Sequence, residues 1–237
     1  MRIALLSDLH ANLPFAEAAL RRARRAACDV VVHLGDAIDL GPWPSETLDF
    51  LESERVIMIR GNHDEYPLLG LTAAIRARLR PEVIVHMDWT ASQLRPDQLD
   101  LIGDMPTRLM IMADDWTVRL QHFLLDGDRV SEEYLGDSIP NALSRFSVEE
   151  GQIVCFGHTH NRFWYFSGDR GLLNPGATGF HVGDTAWFAV LVTQDVGAWV
   201  EWHAVDCPRA NVVAELERRR VPAWQDSVNY MFESAAV

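Results

Sequence analysis

The 237-residue chain is short of cysteine. Cys28, Cys155 and Cys207 lie far apart, and none belongs to a C-x-x-C pair. That scarcity excludes a disulfide framework and a sulfur-ligated structural zinc, and it points to a reducing cytosol. Long apolar runs are also missing, so no segment is read as spanning a bilayer. The opening Met1–Leu6 run is shorter than a signal-peptide core, and Asp8 follows it closely. Positive charge is scarce too. Lys and Arg total 21 against 34 Asp and Glu, a formal net charge of −13. Such an acidic chain is a poor general partner for nucleic-acid backbones or anionic membranes. A small phosphorylated ligand stays open, because bound cations reverse the local potential inside a site. There are no internal repeats, low-complexity tracts or linkers, so one domain is expected over residues 1–237. At 48% hydrophobic residues the chain has enough apolar side chain to bury a substantial core.

What the chain does contain is a series of apolar runs, each followed by a polar loop. Arg2 to Ser7 reads as a buried strand leading into Asp8-Leu9-His10-Ala11-Asn12. Asn12 and Pro14 resemble the cap and first turn of a helix reaching about Ala27. Its arginines, Arg21, Arg22, Arg24 and Arg25, form the solvated face. Asp29 to Leu34 is a second strand, ending in Gly35-Asp36-Ala37-Ile38-Asp39-Leu40-Gly41. Gly41-Pro42-Trp43-Pro44 turns into a helix at about Ser45. Arg55 to Arg60 reads as a third strand, closed by Gly61-Asn62-His63-Asp64. This order predicts a βαβαβ sheet whose site lies at the strand carboxyl ends.

Residues 65–105 follow a helical pattern broken by Pro81 and Pro96, and are expected to cover the site as a cap-like excursion. Strands are then expected at 107–112, 117–123, 152–156, 162–166, 186–193 and 198–205, with helices near 138–149 and 211–220. His33, inside the second strand, reads as a hydrogen-bonded core residue. Trp43, between two prolines, is a candidate platform for stacking a base.

Asp8, His10, Asp36, Asn62, His63, His122, His158 and His160 all fall at strand ends. Imidazoles, carboxylates and one amide without a thiolate suit Mn, Fe, Zn, Co or Ni. In Asp8-x-His10 and His158-x-His160 the spacing of two lets both side chains of a loop converge. Any one of these histidines alone would be an ordinary polar loop residue. Four such motifs, each at the end of an apolar run, are not expected by chance. Asp36, just past a buried strand and flanked by glycine, is the candidate carboxylate shared between two ions.

Together, Asp8-x-His10, Gly35-Asp36-x-x-Asp39-x-Gly41, Gly61-Asn62-His63-Asp64 and Gly157-His158-Thr159-His160 resemble the signature of the calcineurin-like metallophosphoesterases. Ser7 to Asn12, Gly41 to Pro44, Trp89 to Pro106 and Asn174-Pro175-Gly176 are similar to a YfcE-like subgroup of small bacterial and archaeal phosphodiesterases. The resemblance implies an α/β, four-layer αββα sandwich of two mixed sheets. It implies two divalent ions, manganese first, with Fe, Zn, Ni, Co or Mg as alternatives. By the same resemblance Asp8, His10 and His160 hold the first ion, Asp36 bridges, and Asn62, His122 and His158 complete the second. A hydroxide between the ions would attack phosphorus. His63 would protonate the leaving oxygen, with Asp39 fixing its tautomer.

The expected substrate is a small phosphodiester or phosphoanhydride, such as a nucleotide. Alternatives are phosphoprotein phosphatase, phosphomonoesterase, or a non-catalytic scaffold like the retromer subunit of similar fold. The presence of His63 speaks against the scaffold. Leu40 stands where eukaryote-type phosphoprotein phosphatases carry a phosphate-gripping arginine. A second departure is Phe123, where the family commonly has glycine; a ring there is expected to narrow the cleft or shift the second ion. Asn12, Arg60 and His181 are further candidates for substrate contact. The oligomeric state is not legible.

Overall fold

In a computed structural model, residues 1–131, 139–180, 184–207 and 209–233 are described. The strands are β1 (Arg2–Leu6), β2 (Val30–His33), β3 (Ile57–Met58), β4 (Arg108–Ala113), β5 (Trp116–Gln121), β6 (Leu125–Asp126), β7 (Arg129–Val130), β8 (Gln152–Cys155), β9 (Phe163–Ser167), β10 (Arg170–Asn174), β11 (Thr185–Gln194) and β12 (Gly197–Asp206). The helices are α1 (Leu13–Arg25), α2 (Pro44–Ser53), α3 (Asn62–Leu69), α4 (Ala73–Arg78), α5 (Pro81–Ser92), α6 (Pro96–Asp104), α7 (Ile139–Arg145), α8 (Arg209–Arg218) and α9 (Trp224–Val228). A π-helical turn, Asn229–Glu233, continues α9.

The strands form two mixed five-stranded sheets, ordered β12-β11-β1-β2-β3 and β4-β5-β8-β10-β9. In the first, β1, β2 and β3 run parallel while β11 joins β1 antiparallel. The parallel strands are continuous aliphatic runs because both faces are covered. Ile3, Leu5, Val32 and Leu34 meet Val118, Leu120, Ile153, Cys155 and Leu173 of the second sheet in a shared core. The alternate residues Ala4 and Leu6 face Ala19 and Ala23 of α1. On the outer side of the second sheet, Val154 and Leu172 pack under Ala142 and Phe146, at α7. The layers are therefore helix, sheet, sheet, helix, as the family resemblance implies. Among the described residues no helix is long and apolar enough to cross a membrane.

Several local expectations are corrected. The third strand is only two residues long, because it pairs with β2 through Ile57 and Met58 alone at the sheet edge. Asn12 does not cap α1 through its side chain. Its amide instead donates to the Gly179 carbonyl at 2.7 Å. His33 is buried as expected, yet neither ring nitrogen has a hydrogen-bond partner. Burial pushes its pKa down to about 4, so the ring is neutral. Trp43 packs on the apolar cluster of Phe15, Leu40 and Val212.

Candidate metal centre and active site

The loops after β1, β2, β5 and β8, and the start of α3, meet at one edge of the two sheets. Their backbones interlock before any side chain is considered. His10 N–H donates to Asp36 O at 3.0 Å and Ala11 N–H to Ala37 O at 2.8 Å. Gly157 N–H donates to His122 O at 2.8 Å, and Thr178 N–H to Ser7 O at 2.7 Å. The motif residues adopt a backbone unusual for L-amino acids. Asp8, His10, Asp36, Asp39, His158 and His160 all have φ between 48° and 74°. Each such residue costs about 1–3 kcal/mol, and that cost concentrates where side chains are aimed at a ligand. Glycine is required at position 61, where a Cβ would collide with the Asp36 carboxylate.

Asp64 clamps two of these loops together. Its buried carboxylate accepts from the backbone N–H groups of Asp36 (2.8 Å), Ala37 (2.9 Å), Ile38 (3.3 Å) and Gly61 (2.9 Å). Burial and the neighbouring Asp36 push its pKa up to about 7, and the N–H donors pull the other way. Asn174 does the same service for the loop after β8, donating to Gly157 O at 2.7 Å and to Thr159 Oγ1 at 3.0 Å.

Within this frame the described donors gather in three overlapping groups, Asp8–His10–His160, Asp36–His122–His158 and, joining them, His10–Asp36–His63; the first two hold the residues that the family resemblance assigns to metal. In the first, His160 Nε2 lies 3.3 Å from Asp8 Oδ1 and 3.3 Å from His10 Nε2. Two nitrogens held by one ion at about 2.0–2.1 Å stand about 2.9–3.4 Å apart across octahedral to tetrahedral angles, so this spacing fits a cation. In the second group, His122 Nδ1 donates to the Leu34 carbonyl at 2.7 Å. That bond leaves Nε2 bare, 3.2 Å from Asp36 Oδ2 and without hydrogen-bond alignment to it. Locking the far nitrogen on a carbonyl is how ligand imidazoles are oriented. Asn62 Nδ2 donates to Tyr66 Oη at 3.0 Å, which turns Asn62 Oδ1 toward His158 Nδ1, also at 3.0 Å. Asp36 lies between the groups, its Oδ2 3.9 Å from His10 Nε2.

The electrostatics agree with a cation-binding role. Burial, then the neighbouring His63, pushes His10 down to about 3, and burial with His122 takes His158 to about 4. Both are neutral, the form that ligates. Burial opposes ionisation of Asp8 and Asp36, yet the surrounding imidazoles hold both below the usual carboxylate range. His122 differs: burial opposes its charge, but Asp36 and Asp8 raise it to about 9 in the metal-free chain, so a cation bound there would have to displace its proton.

Phe123 corrects one expectation. It does not project into the cleft: it is buried in the cluster with Phe146 and Phe156, and its ring backs His158 at 4.4 Å.

His63 Nδ1 sits 2.6 Å from Asp39 Oδ2, and the His63 backbone N–H donates to Asp36 Oδ1 at 2.9 Å. Burial would lower the pKa of the ring, but Asp36 and Asp39 raise it to about 9 in the metal-free chain. The sequence did not reveal what braces this pair. From α5, His86 Nε2 lies 3.3 Å from Asp39 Oδ1, and Thr90 Oγ1 donates to the same oxygen at 3.2 Å. His86 Nδ1 faces the Pro222 carbonyl at 3.0 Å. Its Nε2 lacks hydrogen-bond alignment to Asp39; burial opposes charge on the ring, and Asp39 outweighs it to raise the pKa.

Other candidates lie apart from the donors. Asn12 is fully buried behind the Gly179 loop and presents no surface to a substrate. Arg60 is taken up by Glu65 at 3.5 Å and by the Gly103 carbonyl at 3.2 Å, at the junction of α3 and α6. His181 lies outside the described residues.

Residues 1–196 match the family model described as the calcineurin-like phosphoesterase superfamily domain. The uncharacterized protein MJ0912 of Methanocaldococcus jannaschii is 22% identical, with 94% of each chain covered. The crystal structure of a metallophosphoesterase from Sphaerobacter thermophilus is 25% identical, with a TM-score of 0.74 and 98% of each chain covered. The hypothetical protein PH1004 from Pyrococcus horikoshii shares the fold over 99% of each chain, with a TM-score of 0.82 at 15% identity. With its donor groups set at the same sheet edge that carries the family motifs, the chain belongs to the calcineurin-like phosphoesterase superfamily and is a metal-dependent phosphoesterase.

Proposed function

We propose that this protein hydrolyses phosphodiester or phosphoanhydride bonds of small molecules with the help of two divalent cations, manganese first among them. Asp8, His10 and His160 would hold one cation and Asn62, His122 and His158 the other, with Asp36 shared. When bound, the pair supplies Lewis acidity toward the phosphoryl oxygens and toward water. The chain's own residues do the rest. The Leu34 carbonyl keeps the His122 imidazole in the ligating tautomer, and Phe123 holds the ring of His158. Asp39 orients His63 and keeps it protonated, so His63 delivers a proton to the departing oxygen. The observation that carries this reading is the pairing of two donor groups around Asp36 with the His63–Asp39 pair, 2.6 Å apart, beside them. The acidic charge of −13 supports small substrates over nucleic acid and over anionic membrane surfaces.

The test is hydrolysis of bis(p-nitrophenyl) phosphate by protein stripped of metal and reloaded with manganese, with metal content measured in parallel. Two ions per chain and chelator-sensitive turnover are expected. His63→Ala should lower kcat about 10²–10⁴-fold for esters with poor leaving groups, and far less for p-nitrophenolate, which needs no proton. Full turnover of a poor leaving group by His63→Ala would remove the acid from the mechanism.

A further inference from the structure

Beside the donors opens a cavity of about 500 Å³, within the range of small-molecule sites. Asn62, His63, His86 and His158 are its polar residues on the side of the donors. If His63 protonates the departing oxygen, as proposed above, the departing group occupies the space that His63 borders. The walls of that space therefore state what kind of group it accepts. They are apolar: Leu40, Ile75, Leu79, Val83 and Met87, with Tyr66 and Tyr230 supplying rings. The chain has no lysine, so apart from the histidines only arginine side chains can grip an anion. Among the described lining residues the single arginine is Arg80, at the exposed rim, and it lies 3.2 Å from Asp226, itself a lining residue. The pair adds no net charge to the cavity.

We infer that this cavity is a leaving-group subsite for a neutral, apolar alcohol or phenol, so the substrates are phosphate esters of such groups rather than phosphoanhydrides. Splitting an anhydride would place a departing phosphate, with its charge, against aliphatic walls, while two of the imidazoles on the lining, His63 and His86, are both turned to the Asp39 carboxylate. Burying a charge without a partner of its own is strongly disfavoured. Ester hydrolysis is balanced with the groups present. Water forms the new P–O bond, the P–O bond to the alcohol breaks, His63 gives its proton to the alcohol oxygen, and the proton lost by water restores His63. The inference rests on the phosphoesterase reading and narrows it to a substrate class.

Two methyl phosphodiesters test it, one of 4-tert-butylphenol and one of 4-(sulfonatomethyl)phenol, whose leaving groups match in acidity and size but not in polarity. The manganese-loaded enzyme should prefer the tert-butyl ester in kcat/KM by about tenfold or more, the scale on which apolar pockets discriminate. Val83→Lys, which brings a cation to the wall, should reverse the preference, and Leu79→Lys should shift it the same way from a different segment. A second readout needs no metal: 4-tert-butylphenol should bind the native apoprotein at one saturable site by calorimetry, and binding should weaken at least about tenfold in Val83→Lys. Equal rates for both esters, or a preference unmoved by both lysine variants, would overturn the inference while leaving the phosphoesterase reading intact. Hydrolysis of neither ester, nor of bis(p-nitrophenyl) phosphate, would overturn both.

Discussion

Removing the Asp64 carboxylate should both loosen the fold and release the metal. Its two oxygens accept four backbone N–H groups, three of them at 2.8–2.9 Å, and the residue has no exposed surface. Asp64→Ala orphans all four donors, at about 1–3 kcal/mol for each buried one left unpaired. Part of that is returned, because a desolvated acid beside Asp36 disappears and water can enter the space. A net loss of about 3–5 kcal/mol remains, the usual size when one partner of a buried polar network is removed. For a chain this long, each kcal/mol shifts Tm by about 2–4 °C, so a drop of roughly 6–20 °C is expected. Because the Asp36 and Gly61 backbones lose their common anchor, manganese affinity should fall as well. Asp64→Asn separates charge from geometry: it relieves repulsion with Asp36 but turns an amide donor toward N–H groups. Thermal melts of the metal-free proteins and calorimetric manganese titrations provide the readings. If Asp64→Asn is as stable as the native protein and binds manganese equally well, the clamp is not what holds these loops.

Three further outcomes follow from the same geometry. Replacing His86 by alanine frees one side of Asp39, so kcat for a poor leaving group should fall roughly tenfold at nearly constant KM; native kcat in that variant would show that the brace is idle. Gly61→Ala drives a methyl into the Asp36 carboxylate, and titration should show manganese affinity lower by about 10–100-fold; unchanged affinity would mean the loop yields freely. EDTA should lower Tm by about 8–16 °C relative to protein in manganese at a thousand times its Kd, from about 4 kcal/mol of linkage; a melt indifferent to chelator would mean the folded and unfolded chains bind the ion equally.

The donors were legible in the sequence for a local reason: each stands two to four residues past an apolar run, and such runs betray strand ends. The four-layer arrangement followed from the family resemblance, whereas this logic found the βαβαβ unit of β1, β2 and β3. It failed on β10, whose Arg170–Asn174 segment is five residues with a glycine second, too short to announce a strand. It overextended the third strand, since an apolar run does not say how many of its residues find a partner. His86 escaped because its partner Asp39 is brought to it by the fold, across the α3–α5 excursion, and no spacing encodes that meeting. The role of Asp64 escaped although its motif was recognised, because all its partners are main-chain amides. Asn12 misled because capping and tertiary anchoring draw on the same side chain, and only the distant Gly179 carbonyl decides between them.

Val83, His86, Met87 and Thr90 recur at three- and four-residue intervals, so they share a single stripe of α5. Val83, His86 and Met87 wall the cavity; His86 and Thr90 also reach Asp39. The selection of what is cleaved and the delivery of the proton that cleaves it are thus built on one rigid rod. A lineage that exchanged Val83 or Met87 to admit a different substrate would tilt the lever that steadies His63, so appetite and turnover in this enzyme must evolve together.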